Sequence, residues 1–197
     1  MPLDLNRYTE KAAQAFMAAQ KDAQEHNHSQ LEPLHLLAAL LAQREGVVPQ
    51  VIEKVGASPA QVQAAVQEEL NRLPQAYGAT QQVYLSKATD QVVQRAEDAA
   101  GRMRDEYIST EHLLLGLVDD RVKGPAGELL RRFGIQADAI LQALTSIRGS
   151  QRVTSQNPES TYQALERYGR DITKMARENK LDPVIGRDDE ILSLIHI

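Results

Sequence analysis

The stretch from Leu31 to Leu41 reads Leu-Glu-Pro-Leu-His-Leu-Leu-Ala-Ala-Leu-Leu, and the stretch from Ile108 to Val118 reads Ile-Ser-Thr-Glu-His-Leu-Leu-Leu-Gly-Leu-Val. Their histidines, His35 and His112, lie 77 residues apart. Both stretches are apolar on nearly every side, which is typical of a helix buried at the centre of a bundle. Self-similarity of this kind indicates two copies of one structural unit.

The match extends beyond these two stretches. Upstream, at the same offset, Thr9 aligns with Ser86; downstream, at an offset of 78, Gly56 aligns with Gly134. One residue inserted in a loop accounts for the change of offset. Further aligned apolar pairs are Ala15 with Val92, Phe16 with Val93, Ala19 with Ala96, Ala23 with Ala100, Ile52 with Leu130, Val55 with Phe133, Val62 with Ile140, Ala65 with Ala143 and Val66 with Leu144.

The sequence pattern of each copy predicts four helices. Thr9 and Ser86 are expected N-caps, because a hydroxyl accepts from a free backbone N–H at a helix start. Pro33 suits the first turn of the second helix, and Gly56 and Gly134 suit a left-handed stop after the third. No segment alternates apolar and polar residues long enough to demand a strand. The predicted fold is all-α, one globular domain over residues 1–147, with repeats at about 7–71 and 84–147.

The sequence changes character after this domain. Residues 148–161 are rich in Gly, Ser, Gln and Asn and predict a flexible linker. Residues 162–191 regain a helical pattern but are too few to bury a core, so we expect them to open a second domain. Residues 192–197, Leu-Ser-Leu-Ile-His-Ile, look like a translated sequencing adaptor, and we expect a non-native tail on a truncated reading frame.

Composition excludes several classes of protein. The chain has 197 residues, 42% of them hydrophobic and 25% charged, with a net charge of −5 and no cysteine. A nucleic-acid binder would need a basic face, and a disulfide framework or a thiolate site needs cysteine. The first residues form no secretory signal, and no apolar run approaches the ~20 residues that span a bilayer. We expect a cytoplasmic protein that binds neither nucleic acid nor membrane.

Two motifs resemble the Clp ATPase family, and the resemblance covers residues 1–191. The paired repeats around Pro33-Leu34-His35-Leu36-Leu37 and Glu111-His112-Leu113-Leu114-Leu115 resemble the N-terminal repeat domain of that family. The stretch from Tyr168 to Asp188, with its Leu-Asp-Pro-Val-Ile-Gly-Arg-Asp, resembles the start of the first AAA+ module. The approach to it, Ala-Leu-Glu-Arg-Tyr-Gly-Arg-Asp, favours the ClpB type over the ClpA and ClpC types.

The resemblance implies a substrate-recruiting domain. In ClpB-type chaperones it binds unfolded or aggregated clients, and the full-length protein is a hexamer that uses ATP and cooperates with the DnaK system. The matching client-binding positions here are Thr9, Asp105 and Glu111. Thr9 is better explained as an N-cap, whereas the two acids are equally well explained as solvated charges in a first turn. Arg95 and Ala99 stand where a more apolar pair is expected, so we expect weak client binding.

This polypeptide is not expected to hydrolyse ATP, because it lacks the Gly-x-x-x-x-Gly-Lys-Ser/Thr motif that cradles phosphates. By resemblance, Val184, Ile185 and Gly186 would edge the adenine pocket, and ATP with Mg²⁺ would serve only the full-length protein. The alternative is a turn stiffened by Pro183 ahead of a helix. No cofactor is expected for residues 1–197 alone.

The histidines at the two equivalent helix starts, His35 and His112, are interpreted as packed or capping imidazoles, since a metal site needs further ligands. His26 and His28 lie near a helix end, where capping is again the simpler interpretation. No metal site and no catalytic residues are predicted. Two other functions stay open: docking of a folded adaptor, as in ClpA- and ClpC-type unfoldases, and a purely structural double bundle. We expect the chain by itself to be monomeric.

Overall fold

The computed structural model describes residues 4–43, 46–76, 83–149, 151–158 and 176–177. The chain divides into two units, Met1–Tyr162 and Gln163–Ile197. Apart from residues 176–177, the predicted ATPase opening at 162–191 and the predicted tail at 192–197 lie outside the described residues. The fold of the first unit is described below.

The first unit is helical. Its described residues form eight α-helices, preceded by a 3-10 helix at Leu5–Arg7. None of these helices has both the length and the apolar character that crossing a membrane requires. The helices are α1 (Glu10–Glu25), α2 (Pro33–Ala42), α3 (Val47–Val55), α4 (Pro59–Leu70), α5 (Lys87–Met103), α6 (Thr110–Val118), α7 (Pro125–Arg132) and α8 (Ala137–Arg148).

The helices begin and end where the sequence predicts. The side chains of Thr9 and Ser86 each accept from the backbone N–H three residues on, at 3.3 and 3.1 Å. Pro33 is the first residue of α2. Gly56, with φ +95°, ends α3 in the left-handed region, and Gly134, with φ +74°, follows α7. The all-α fold with two four-helix copies is confirmed.

Two short strands were not predicted. β1 (Gln30–Leu31) pairs in parallel with β2 (Tyr84–Leu85), and an isolated bridge joins Tyr8 to Ile108. Two residues are too few to show alternation, so the sequence pattern could not reveal them. Tyr8 and Leu85 are equivalent positions of the two repeats, as are Leu31 and Ile108. The start of each repeat is therefore tied to the middle of the other, which indicates a pseudo-two-fold arrangement.

Packing between the helices follows the same symmetry. Within the repeats, α1 packs on α2 and α5 packs on α6; between them, α3 packs on α8 and α4 on α7. The two copies therefore share one hydrophobic core instead of forming two separate bundles. The largest fully buried side chains are Leu34, Leu36, Leu37, Leu40, Ile52, Leu70, Leu113, Leu114, Leu117, Leu130, Ile135 and Ile140.

The α5–α6 pair is packed especially closely at Gly116. A Cβ atom built on this residue would lie 2.4 Å from the carbonyl oxygen of Val92 and 3.2 Å from the backbone nitrogen of Ala96. Only glycine fits such an approach without moving one helix. This contact holds α6, and with it the loop before α6, against α5.

Candidate functional site

The loop between α5 and α6 directs the side chain of Asp105 into the interior of the protein. Arg104 ends α5 in the left-handed region, with φ +57°, and the backbone N–H of Asp105 donates to the carbonyl of Ala100 at 3.0 Å. This arrangement closes the helix end as left-handed C-caps commonly do. The side chain of Asp105 is 0% exposed.

Three donors surround the Asp105 carboxylate. Nε2 of His112 and Nη2 of Arg148 lie 3.0 and 2.8 Å from Oδ2, and the backbone N–H of Val153 donates to Oδ1 at 2.8 Å. Burial by itself would raise the pKa of Asp105. The hydrogen bonds from His112, Val153 and Arg148 outweigh it, so that the pKa is held below its ordinary value. The carboxylate is therefore charged and satisfied inside the protein.

The tautomer of His112 follows from its other contacts. The backbone N–H of Ser109 donates to Nδ1 at 3.0 Å, and the Ser109 hydroxyl lies 2.9 Å from the same atom. Because Nδ1 accepts, Nε2 holds the proton and donates it to Asp105. His112 thus caps α6 and positions Asp105, which confirms the interpretation of this histidine as a capping residue.

Glu111 lies beside Asp105 and shares its cation. Its side chain is 0% exposed, and Oε1 accepts from Nη1 of Arg148 at 3.2 Å. Arg148, the last residue of α8, is 7% exposed at its side chain and bridges both acids. We call Asp105, Glu111, His112 and Arg148 the acid–arginine cluster. Its two carboxylates share the guanidinium of Arg148.

Thr9 reaches the same region from the other repeat. Its backbone N–H donates to the carbonyl of Ile108 at 3.0 Å, and Ile108 N–H donates back to the carbonyl of Arg7 at 2.8 Å. Ile108 stands three residues from both Asp105 and Glu111 in the sequence. The structure therefore brings all three predicted client-binding residues together, with Thr9 buried as the N-cap of α1.

The alternative that the two acids are solvated first-turn charges is wrong. Asp105 and Glu111 have no exposed side-chain surface, and Arg148 pairs with both of them. Arg95 and Ala99 lie on α5; Arg95 pairs with Asp98 at 2.8 Å and Ala99 is buried. Whether clients bind at Thr9, Asp105 and Glu111 stays a prediction.

Part of the predicted linker lies against the domain. Arg148 still belongs to α8, and the carbonyl of Val153 accepts from the N–H groups of Glu106 and Tyr107 at 2.9 and 3.4 Å. The carbonyl of Gln156 accepts from Glu10 N–H at 2.8 Å. We call residues 151–158 the 151–158 segment. The polar composition of this segment does not indicate that it lies against the domain, because backbone groups make most of the contacts.

The first repeat holds a different set of residues at the equivalent place. The backbone N–H of Glu32 donates to Nδ1 of His35 at 2.9 Å, and Nε2 of His35 lies 2.8 Å from Nδ1 of His28. His35 caps α2, as the sequence interpretation held. Burial, followed by the neighbouring His28, lowers the pKa of His35 to about 4.

No group of three or more metal-ligating side chains occurs in the part of the chain that the structure describes. The residues assigned by resemblance to the adenine pocket, Val184, Ile185 and Gly186, lie outside the described residues. Among the described residues, the candidate site is formed by the acid–arginine cluster, Thr9 and the 151–158 segment.

Comparison with protein families gives a direct match. The family model described as the Clp repeat (R) N-terminal domain matches residues 7–133. Among curated proteins, the chaperone protein ClpB of Nitratidesulfovibrio vulgaris is 40% identical over an alignment of 198 residues, covering 99% of this chain and 23% of that protein. The chaperone protein ClpB of Mycobacterium bovis is 43% identical over 189 residues, covering 96% and 22%. The chain thus spans about a quarter of the length of these relatives.

Solved structures agree on the fold. The Hsp104 N-terminal domain from Candida albicans superposes with a TM-score of 0.68 at 24% identity, covering 77% of this chain and 98% of that one. The N-terminal domain of ClpD from Arabidopsis thaliana superposes with a TM-score of 0.51 at 26% identity, covering 72% and 97%. The double-repeat helical fold is therefore shared with these domains.

Proposed function

This chain belongs to the family of Clp repeat N-terminal domains, and on that premise we propose that it recruits unfolded or aggregated protein clients to a ClpB-type chaperone. One observation supports the proposal most strongly. The identity to ClpB proteins is about 40% and extends over 99% of the chain, well beyond the repeat domain itself. The ClpB matches favour client recruitment over the adaptor docking of ClpA- and ClpC-type proteins.

The proposed mechanism is recruitment by tethering. The domain holds a client near the machine that unfolds it, and tethering raises the local concentration, so that weak binding is enough. In the full-length protein, we propose, further residues bind ATP and Mg²⁺, six copies assemble, and the DnaK system cooperates. Residues 1–197 take the binding role and no catalytic one. The proposed location is the cytoplasm, with which a chain free of cysteine is compatible.

The proposed client site is the region of Thr9, Asp105 and Glu111. The charge of the acid–arginine cluster supports this placement. Its carboxylates favour basic flanks of a client, while apolar contacts supply affinity without strong sequence preference. Since both acids are buried, a client must first displace what covers them.

Binding of the full chain to a fluorescently labelled, chemically unfolded model protein tests the proposal. We expect saturable binding by fluorescence anisotropy, weakened several-fold by Asp105→Asn, which keeps the shape of the side chain but removes its charge. Asp120→Asn is the matched control, because that side chain is 90% exposed. Absence of binding by the folded wild-type chain would refute recruitment, and equal binding by Asp105→Asn and wild type would refute this placement.

A further inference from the structure

The 151–158 segment lies over the loop between α5 and α6. Val153 is the centre of this contact: it is 0% exposed, and both of its backbone groups are bonded to the loop. Its N–H donates to the carboxylate of Asp105, and its carbonyl accepts from Glu106 and Tyr107. The segment therefore contacts directly one of the acids proposed to engage clients.

Backbone groups make much of this contact. A segment held by its own N–H and C=O groups is bound as an extended peptide is bound, since backbone bonds give affinity for any sequence. Farther along, the carbonyl of Gln156 accepts from Glu10 N–H at the start of α1, and its side-chain amide donates to the carbonyl of Asn6 at 3.3 Å. The 151–158 segment thus runs from Asp105 to the neighbourhood of Thr9.

Two side chains add selectivity to the backbone contact. Val153 fills a fully buried position, which suits a β-branched aliphatic residue. The guanidinium of Arg152 donates to the carbonyl of Arg104, from Nε at 2.8 Å and from Nη2. Thr154 and Ser155, the next residues, are exposed. The pattern that the site holds is a cation followed directly by an aliphatic side chain.

The charge around the site fits the same pattern. Asp105 and Glu111 lie together here with Arg148 between them, and Glu106 is exposed beside them. A basic peptide residue is attracted to neighbouring carboxylates. The carbonyl of Arg104, at the left-handed end of α5, is also an acceptor that favours a cation.

We propose that the 151–158 segment is an intramolecular occupant of the client site, and that the site takes extended peptides in which a basic residue directly precedes a β-branched aliphatic one. This inference rests on the proposed recruiting function and adds its substrate class and its regulation. The segment keeps the site closed until a client with the same pattern displaces it. Client affinity is then reduced by the fraction of molecules in which the segment is docked.

The test uses the full chain, its Val153→Asp variant and, as the matched control, Thr154→Asp. Val153→Asp places a charge at the buried anchor and beside Asp105, whereas Thr154→Asp places the same charge one residue on, at an exposed position. The probes are the labelled peptide Gln-Arg-Val-Thr-Ser-Gln-Asn-Pro and the unfolded model protein. Because docking depends on a buried valine, we expect both probes to bind Val153→Asp about tenfold more tightly than wild type or Thr154→Asp.

A second measurement does not depend on the folding of the Val153→Asp variant. The chain has no cysteine, so Thr154→Cys carries a single fluorescent label at an exposed position of the segment. Addition of unfolded client should increase the mobility of the label in proportion to the client bound. The unlabelled peptide should compete with the client, and a peptide with Asp in place of its Val should not.

The outcomes separate this inference from the proposed function. Clients that bind wild type and Val153→Asp equally, with no change at the label and no competition by the peptide, would overturn the inference and leave recruitment standing. Clients that bind no form of the folded chain would overturn both. Tighter binding to Val153→Asp, together with release of the label, would support both.

Discussion

The two repeats use the same backbone to hold different chemistry. Asn27, two residues after α1, and Arg104, directly after α5, both have φ +57°, and the next residues, His28 and Asp105, both turn inward. Each donates its backbone N–H to the carbonyl five residues earlier, at 2.8 and 3.0 Å. In the first repeat the inward residue meets a histidine within a neutral pair, and in the second it meets a histidine and an arginine.

The residues that surround the inward-pointing side chain also differ between the two repeats. Leu34 and Leu70 of the first repeat are equivalent to Glu111 and Arg148 of the second, and all four side chains are buried. The first repeat therefore stabilises its loop with apolar contacts and two neutral imidazoles. The second repeat uses ion pairs at the equivalent positions. A charged interior has a stability cost that apolar packing avoids, so its presence in one repeat favours a functional role there.

The surface above the two loops differs as well. Beside His28 the structure leaves a cleft of about 250 Å³, lined also by Ser29, Gln30, Glu32, Leu73 and Pro74. Beside Asp105 the equivalent place is covered by the 151–158 segment. Equivalent scaffolds thus hold a structural loop in one copy and a candidate binding site in the other.

A change in the acid–arginine cluster should lower the free energy of unfolding more than any other substitution predicted below. Arg148→Leu introduces the leucine that the first repeat has at the equivalent position, and removes the guanidinium that pairs with both buried acids, Asp105 and Glu111. We expect a loss of about 3–5 kcal/mol in the free energy of unfolding, because a broken buried ion pair leaves uncompensated charge. Urea unfolding followed by circular dichroism measures it, with the exposed Arg132→Leu as control.

A triple variant sharpens this prediction. Asp105→His, Glu111→Leu and Arg148→Leu together reproduce the first repeat in the second. Most of the lost stability should return, since well-packed apolar residues replace buried ion pairs at little or no cost. A triple variant as unstable as Arg148→Leu would show that the two repeats are not interchangeable scaffolds.

A substitution at the close contact between α5 and α6 should have the next largest effect on the stability of the domain. Gly116 is equivalent to Ala39 of the first repeat, yet a Cβ atom at Gly116 would meet the carbonyl oxygen of Val92 at 2.4 Å. Gly116→Ala should therefore destabilise the domain by about 2–3 kcal/mol through overpacking. Gly101→Ala, where an added Cβ atom meets nothing within 4 Å, should be neutral or stabilising. Equal effects of the two changes in thermal unfolding would contradict the proposed close contact.

Acid should weaken the first repeat before the second. The pKa of His35 is about 4 when folded and 6.5 at its ordinary value. The unfolded chain therefore binds more protons between these values, and stability falls as pH drops from about 6.5 to 4, by about 2 kcal/mol. The pKa of Asp105 is lowered too, but for a carboxyl that contribution is lost only below its ordinary value of 3.8.

Urea unfolding of wild type and His35→Gln at several pH values between 4 and 7 measures this difference. The variant should lose most of the slope over that range, because glutamine can keep a hydrogen bond to Glu32 but does not titrate there. A slope unchanged in His35→Gln would place the acid sensitivity elsewhere.

Much of the fold could be predicted from the sequence, because the features that determine the helices are local. Thr9 and Ser86 are N-caps, Pro33 begins a helix and Gly56 ends one, and each acts through residues within one turn. The repeat in the sequence then predicted that the second copy has the same four helices as the first. The short strands escaped prediction because their pairing joins residues far apart in the sequence and each strand has only two residues.

The environment of the site could not be predicted in the same way. Resemblance pointed to Asp105 and Glu111, and the structure shows that both are buried by Arg148, which lies 43 and 37 residues away in the sequence. Nothing local to an acid indicates a distant cation. The 151–158 segment was also missed, because composition reports the lack of apolar side chains but not the backbone bonds of Val153.

The most direct test is an NMR titration of the ¹⁵N-labelled full chain with unfolded client. If the second repeat holds the site, the amide signals of Asp105, Glu106, Tyr107 and Val153 shift as the client saturates. The equivalent amides of the first repeat, those of His28, Ser29 and Gln30, stay in place. Shifts confined to the first repeat, or client binding that leaves the amides of Asp105 and Val153 unmoved, would contradict the assignment of client recruitment to the second repeat.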